Sequence, residues 1–299
     1  MNKILITGGK GLIGSHLCKK LEKAGYQIAI LTRTPVHKNE YKWDVNQQYI
    51  DPEALKNTTH IIHLAGEGIA NERWTKIRKQ KIRDSRITSI HLLLHKVKEL
   101  QIPLQAFVSA SAIGYYGAVT ADTIFKESDA PATDFIGTTC KQWEDSALQF
   151  LNENIPTTIL RTGIVLTKQG GALEKMNTPF FLATLGSGQQ YMPWIHIDDL
   201  CNLYLKAIQS DRFTGIFNAI APEHHTNRTF TKALSQITNK SIFPFAIPSL
   251  LFKIAFGEMS LLLLQGSRVS SEKVASSYTF KFPNLPMALT DIYSKKQPL

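Results

Sequence analysis

The chain has 299 residues and a net charge of +10, with 43% apolar and 19% charged residues. That length allows one large α/β domain or two smaller ones, and the balance is globular rather than disordered. The basic excess favours anionic partners such as phosphates, nucleic acid or membrane surfaces.

In chain order, Lys3-Ile4-Leu5-Ile6-Thr7 is a short apolar run that suits a buried parallel strand. It starts so near Met1 that no signal peptide is expected before it. A helical pattern runs from Leu12 to about Ala24 and stops at Gly25. Strands are predicted at Gln27 to Leu31 and His60 to Leu64, then a long helix from about Arg73 to Leu100. Its basic cluster (Lys76, Arg78, Lys79, Lys81, Arg83) reads as a solvated face. No RNA-recognition, zinc-finger or basic-zipper signature accompanies it, so nucleic acid is not an expected partner. Ala106 to Ser109 is a further strand, Cys140 to about Leu151 a helix, and Thr157 to Leu160 another strand. Strands alternating with helices predict α/β architecture with a doubly wound parallel sheet.

Beyond Gly163 the rhythm breaks at Gly170-Gly171, Pro179, Gly186-Ser187-Gly188 and Pro193. A helix from about Ile197 to Gln209 and a strand at Ile216 to Asn218 are expected to return to the sheet. Residues 1–165, with 197–218, are therefore assigned to a dinucleotide-binding unit, and 166–196 with 219–299 to a smaller, mainly helical lobe. The active site is expected at the carboxyl edge of the strands. The apolar stretch Ile242 to Leu264 is cut by Pro244, Pro248, Lys253, Gly257 and Glu258, and predicts packed helices, with no membrane partner. Cys18, Cys140 and Cys201 lie far apart without metal-ligand spacing; such usage fits a reducing, cytoplasmic compartment.

The first strand runs straight into Thr7-Gly8-Gly9-Lys10-Gly11-Leu12-Ile13-Gly14 and then a helix. Glycines there serve a tight turn, close approach to a pyrophosphate and close helix–strand contact. The helix N-terminus supplies free N–H groups for phosphates. Where an NAD site usually carries an acid, this chain reads Leu31-Thr32-Arg33-Thr34, and the first acid beyond is Glu40. Arg33 can pair with a 2′-phosphate, so NADP is expected over NAD.

Gly8, Gly11 and Gly14, with His63-Leu64-Ala65-Gly66, resemble the extended short-chain dehydrogenase/reductase family. Further stretches are similar to its nucleotide-sugar-epimerase-like branch, the epimerase family. They are Leu64-Ala65-Gly66-Glu67, Arg73-Trp74, Arg83-Asp84-Ser85-Arg86, Ser109 to Gly117, Gly186 to Gln190 and Pro193 to Leu200. Residues 247–292 resemble that branch's extra C-terminal domain. The resemblance implies that Asp44 and Val45 touch the adenine ring, that Leu64 and Ala65 line the crevice, and that Arg86 reaches the cofactor.

Family enzymes move a hydride between nicotinamide and a carbinol carbon, using a Tyr-x-x-x-Lys pair and a serine. Ser111 resembles that serine, with Ser109 as its competitor, and Lys141 the lysine, which also bonds the nicotinamide ribose. Four residues before Lys141 stands Gly137, so the tyrosine is missing. Tyr115 and Tyr116 are the substitutes to weigh, against a role as aromatic lining. Cys140 reads as core, Asp198-Asp199 as helix-capping carboxylates beside His196, and Arg161 as either crevice-facing or structural. Two functions stay open: an NADP-dependent oxidoreductase or epimerase acting on a small, sugar- or nucleotide-linked molecule, with a homodimer as the candidate assembly, or a non-catalytic NADPH-binding sensor linked to cell division.

Overall fold

The structure is a computed structural model and describes residues 2–294. Its centre is an eight-stranded sheet built from β1 (Lys3–Thr7), β2 (Gln27–Thr32), β3 (Glu40–Asp44), β4 (Tyr49–Ile50), β5 (Thr58–His63), β6 (Ala106–Ala112), β8 (Thr157–Thr162) and β11 (Gly215–Ala219). The spatial order is β11-β8-β6-β5-β1-β2-β3-β4, parallel throughout except for the β3–β4 pair. Every residue of β1 is buried, as a strand covered on both faces requires. The direction of winding reverses beside β1, so its carboxyl end and that of β5 flank the crevice where such sheets hold ligands.

Helices cover both faces. Leu17, Cys18 and Leu21 of α1 (Leu12–Lys23) share one core with Leu200, Leu203 and Tyr204 of α6 (Ile197–Gln209). On the other face, Ile90, Leu93 and Val97 of α3 (Lys76–Glu99) pack with Trp143 and Ala147 of α4 (Phe135–Leu148) and with the Phe107–Phe150 stack at 3.8 Å. Between them in the chain lies the short α2 (Pro52–Leu55).

Several expected boundaries move. The long helix starts at Lys76, where the Thr75 hydroxyl accepts the Arg78 N–H, and not at Arg73. The helix expected from Cys140 starts at Phe135, because Asp134 Oδ1 accepts the Gly137 N–H at 2.7 Å. The strands β3 and β4 went unread because they are short, lie at the sheet edge and carry polar residues between apolar ones. Two more short parallel pairs lie off the main sheet. They join β9 (Ile164–Leu166) to β10 (Trp194–His196) and β7 (Ile124–Phe125) to β12 (Arg268–Val269).

The remaining helices are α5 (Gly171–Met176), α7 (Asn227–Thr238), α8 (Ser249–Phe256), α9 (Leu261–Leu264), α10 (Glu272–Ala275) and α11 (Leu285–Ser294). Of these, α5, α7 and α11 contribute to a core of Leu166, Leu173, Trp194, Phe230 and Leu289. Asp199 holds the C-terminal segment on α6 by accepting from Tyr278 Oη (2.6 Å), Lys281 N (2.8 Å) and Phe282 N (2.9 Å). The tail end of the lobe expected at 219–299 lies partly outside the described residues, as does Met1.

A buried ion pair joins these layers. Arg161 on β8, 1% exposed, gives Nε and Nη2 to the two carboxylate oxygens of Glu144 on α4, each at 2.8 Å. Of the two readings open for Arg161, the fold takes the structural one. Removing the guanidinium with Arg161→Met should cost about 3–5 kcal/mol by stranding the Glu144 charge. Urea unfolding measures it, and Glu144→Gln added to Arg161→Met should return part of that loss.

Candidate cofactor crevice and reaction site

The glycine loop closes the crevice at one end by backbone contact. A Cβ on Gly14 would overlap the Gly8 carbonyl oxygen, and one on Gly8, whose φ is +70°, would stand 2.9 Å from the Leu64 and Ala65 backbone. The Thr7 hydroxyl accepts the N–H groups of Leu64 (3.2 Å) and Ala65 (3.1 Å), which fixes β5's exit against the loop. The first helical turn, Leu12 and Ile13, follows with Gly11 as its N-cap and no side-chain cap, so its N–H groups face the loop unoccupied by side chains.

A groove of about 810 Å³ opens from this loop. Among the expected cofactor residues it is lined by Gly8, Gly11, Thr32, Arg33, Asp44, Val45, Ala65 and Gly66. Trp43 and Asn46 extend it at one end and Glu67 at the other. Lys81, Asp84, Ser85 and Thr88 line it from α3; their three- and four-residue spacing, one helix face, was the available signal for them. Ser85 Oγ accepts the Glu67 N–H at 3.0 Å and so shapes the loop after Gly66.

Glu40 is turned into its own loop, accepting from Val36 N (2.7 Å), His37 N (3.4 Å) and Lys10 Nζ (3.2 Å). The Val36 N–H foremost, with help from Lys10, holds its carboxyl below the usual carboxylate range. Arg33 is exposed on the groove and has no ion-pair partner among the described residues. Asp44 Oδ1 accepts from Asn46 N and Gln47 N, which folds the 44–48 turn beside Val45.

The basic cluster is not wholly solvated. Arg78 is buried, giving Nη1 to Glu67 Oε2 at 3.1 Å and Nη2 to the Gly68 carbonyl at 2.6 Å. Arg86 lies under Gly66, donating to the Ile82 and Glu67 carbonyls and lying 5.0 Å from the Trp143 ring centre. Both side chains organise the loop at residues 66–68. Beside Arg86, His63 is pushed down to about 3, by burial first and then by the arginine's charge, so its imidazole stays neutral and bonds Ser89 Oγ at 2.8 Å.

Of the expected reaction residues, Ser111 and Tyr115 meet at the Arg161–Glu144 pair, while Lys141 is held by Asp145. Ser111 is buried at the end of β6, and its hydroxyl donates to Glu144 Oε1 at 2.6 Å. Ser109, its competitor, is buried too and donates to the Ala110 carbonyl. Lys141 forms a half-exposed ion pair with Asp145 at 2.6 Å, and that hydrogen bond first, with smaller contributions from Tyr115 and Glu144, raises its pKa. The face of α4 turned toward β6 instead carries Ile136, Cys140 and Glu144, all buried. Burial pushes the Cys140 thiol up to about 12, which leaves it inert. A Cβ on Gly137 would overlap the Ala132 carbonyl oxygen, so the loop at 132 occupies the room a tyrosine at 137 would need.

Tyr116 is buried as well, receiving Arg161 Nη1 and donating to Asn218 Oδ1, each at 2.8 Å; burial raises its pKa to about 12. Tyr115 stacks on the Arg161 guanidinium at 3.4 Å from ring centre to carbon. His196 caps α6 by accepting the Asp198 N–H, and among the described residues no group of three or more His, Cys, Asp or Glu side chains is placed to hold a metal ion.

The comparisons with known proteins agree with this geometry. Residues 4–142 match the model of the NAD dependent epimerase/dehydratase family, and residues 247–292 match a domain of unknown function, DUF1731. An epimerase family protein of Staphylococcus saprophyticus is 35% identical over 98% of this chain and 99% of its own length. The mouse epimerase family protein SDR39U1 is 30% identical over 97% and 99%. The crystal structure of human SDR39U1 with NADPH superposes with a TM-score of 0.88 at 27% identity, covering 98% of this chain and all of that one. A nucleoside-diphosphate sugar epimerase from Corynebacterium glutamicum follows at 0.81 and 26%, covering 97% of this chain and 58% of that one. With its Rossmann-type sheet, its glycine loop and its C-terminal domain, the chain belongs to the epimerase family of NAD(P)-binding proteins.

Proposed function

We propose that this protein binds NADP(H), with NADPH preferred over NADH, and does not run the serine–tyrosine–lysine chemistry of alcohol oxidation. The inward face of α4 carries this reading: Ile136 and Cys140 stand there four residues apart, and Gly137 has no room for a side chain. In that family chemistry, a lysine lowers a tyrosine's pKa so that the phenol exchanges a proton near neutrality. Cys140 cannot do this, and Lys141 is committed to Asp145. Residues 1–165 with 197–218 form the cofactor unit in this reading, and the rest of the chain a lobe that answers to the bound cofactor. The three buried free cysteines support a cytoplasmic, reducing setting.

The groove fits the cofactor in its own terms. Gly8 and Gly14 leave the pyrophosphate a bare backbone, the first turn of α1 offers N–H donors, and Arg33 stands free where a 2′-phosphate would lie. Thr32, Asp44 and Val45 would hold the adenosine, and Ala65 and Gly66, with Leu64 just before them, the nicotinamide half. Bound NADPH supplies a hydride. The chain's residues supply binding, orientation and shelter from water.

A second reading is a reductase of a small carbonyl compound, sugar- or nucleotide-linked, with Tyr115 as proton donor. What favours it is the position of Tyr115 in the turn just beyond β6, its ring centre 3.4 Å from the buried Arg161 guanidinium carbon.

Two measurements decide. By calorimetric titration, Arg33→Ala should weaken NADPH by about 10- to 100-fold, the worth of a charge-assisted hydrogen bond, and leave NADH within about twofold. Equal losses for both cofactors would remove Arg33 from the 2′-phosphate. With NADPH deuterated at C4 and a panel of carbonyl compounds, no label should leave the cofactor, and Ser111→Ala and Lys141→Ala should retain NADPH affinity within about twofold. Label transfer abolished by Tyr115→Phe would establish the second reading, whereas transfer abolished by Lys141→Ala would restore the serine–lysine machinery.

A further inference from the structure

Two stretches of the C-terminal half run side by side, Leu182 bridging Ile242 and Leu185 bridging Ile247. They bring the Phe181 ring to 5.3 Å from that of Phe243, which lies 6.1 Å from Phe245. The chain continues through Pro248 into α8, whose sequence SLLFKIAF has no buried residue. Exposure is high along this path: Phe180 87%, Phe245 73%, Ile254 65% and Leu250 63%. A surface helix ordinarily buries one stripe, and monomeric proteins rarely expose contiguous apolar patches beyond a few hundred Å².

Charge on the same path has one sign. Residues 177–187 contain no charged side chain, and residues 239–257 contain Lys240 and Lys253 with no acid. Lys240 gives its protons to Asn177 Oδ1 and the Thr178 carbonyl, so its charge is not neutralised. Lys253 has no acidic partner among the described residues. The nearest acid in the chain, Glu258, is spent on Lys79 at 2.6 Å.

We propose that this face rests on an anionic lipid surface, with α8 in the plane of the interface and Phe180 and Phe245 inserted among the acyl chains. Apolar rings standing largely free of their neighbours suit a surface that yields around them, and two unneutralised lysines suit negative headgroups. A second copy of the chain would oppose like charges across the same face. The contact is peripheral: no described helix is long and apolar enough to cross a membrane. This departs from the expectation of no membrane partner, because a docking face is legible only once the two stretches are placed together.

Co-sedimentation of the full chain with vesicles tests this, using phosphatidylcholine alone and phosphatidylcholine mixed with phosphatidylglycerol. The wild type should pellet with the mixed vesicles and not with the neutral ones. The double variants Phe180→Ser/Phe245→Ser and Lys240→Gln/Lys253→Gln should each lose about tenfold or more in vesicle affinity, with NADPH affinity and thermal melting unchanged. Failure to pellet, equal binding to neutral vesicles, or double variants that bind like the wild type would each overturn the proposal. So would sedimentation equilibrium showing a dimer that Phe180→Ser/Phe245→Ser dissolves, since a second copy would then cover the face.

Discussion

The Arg161–Glu144 pair is the point at which the layers of this protein are tied together. Its guanidinium lies inside, so its donors must be met, and the hydrogen-bond partners come from three separate places in the chain. Glu144 of α4 takes two of its N–H groups, and the same carboxylate takes the Ser111 hydroxyl from β6. Tyr116 receives Nη1 and passes the network to Asn218 of β11, whose amide reaches the Ser270 carbonyl in the C-terminal segment. The Glu127 carbonyl accepts from Nη1 as well, and its carboxylate accepts the Asn218 N–H. A half-satisfied version of such a network would cost more than an apolar core, so its members are constrained together.

That constraint lies where the wider family keeps its proton chemistry, beyond β6 and against the helix that follows. A serine whose proton is held by a buried carboxylate at 2.6 Å has a structural partner in place of a substrate. The neighbouring helix positions are filled by Ile136 and a protonated thiol. Around the cofactor groove the pattern is the reverse. The glycine contacts, the open first turn of α1 and the unpaired Arg33 are all arranged for a ligand, and Glu40 is folded out of its way. In the proposed reading the two halves of the crevice differ in kind: one suits a charged dinucleotide, and the other is filled by buried side chains of its own, Ser111, Ile136 and Cys140.

The C-terminal domain contributes to that closure. Phe256, Met259 and Val269 pack with Trp74, Tyr115 and Ile136 in one apolar cluster. Lys79 at the start of α3 binds Glu258 while Lys81, Asp84 and Ser85 of the same helix line the groove. The exposed face of α8 is therefore joined, through a few packed residues, to the element that borders the cofactor.

Much of this was legible in the chain itself. The strand–glycine–helix order from Lys3 to Gly14, the apolar runs at His60 to Leu64 and Ala106 to Ser109, and the missing tyrosine at Gly137 are local facts, fixed by backbone sterics and two-faced burial over a few residues. The groove-lining glycines and Arg33 follow from the same short-range logic. Tertiary structure alone decided what depends on two distant segments meeting. Arg161 had two open readings until Glu144 was found opposite it, because the pairing of a charge is set by a neighbour 17 residues away on another element. Arg78 reads in the sequence as part of a solvated basic face, and only the folded 66–68 loop shows it buried against Glu67 and Gly68. Lys141 has the family's place in the sequence, but its pairing with Asp145 one turn on, and the burial of Ile136, Cys140 and Glu144 on the same helix, are set by how α4 packs from its Asp134 cap onward.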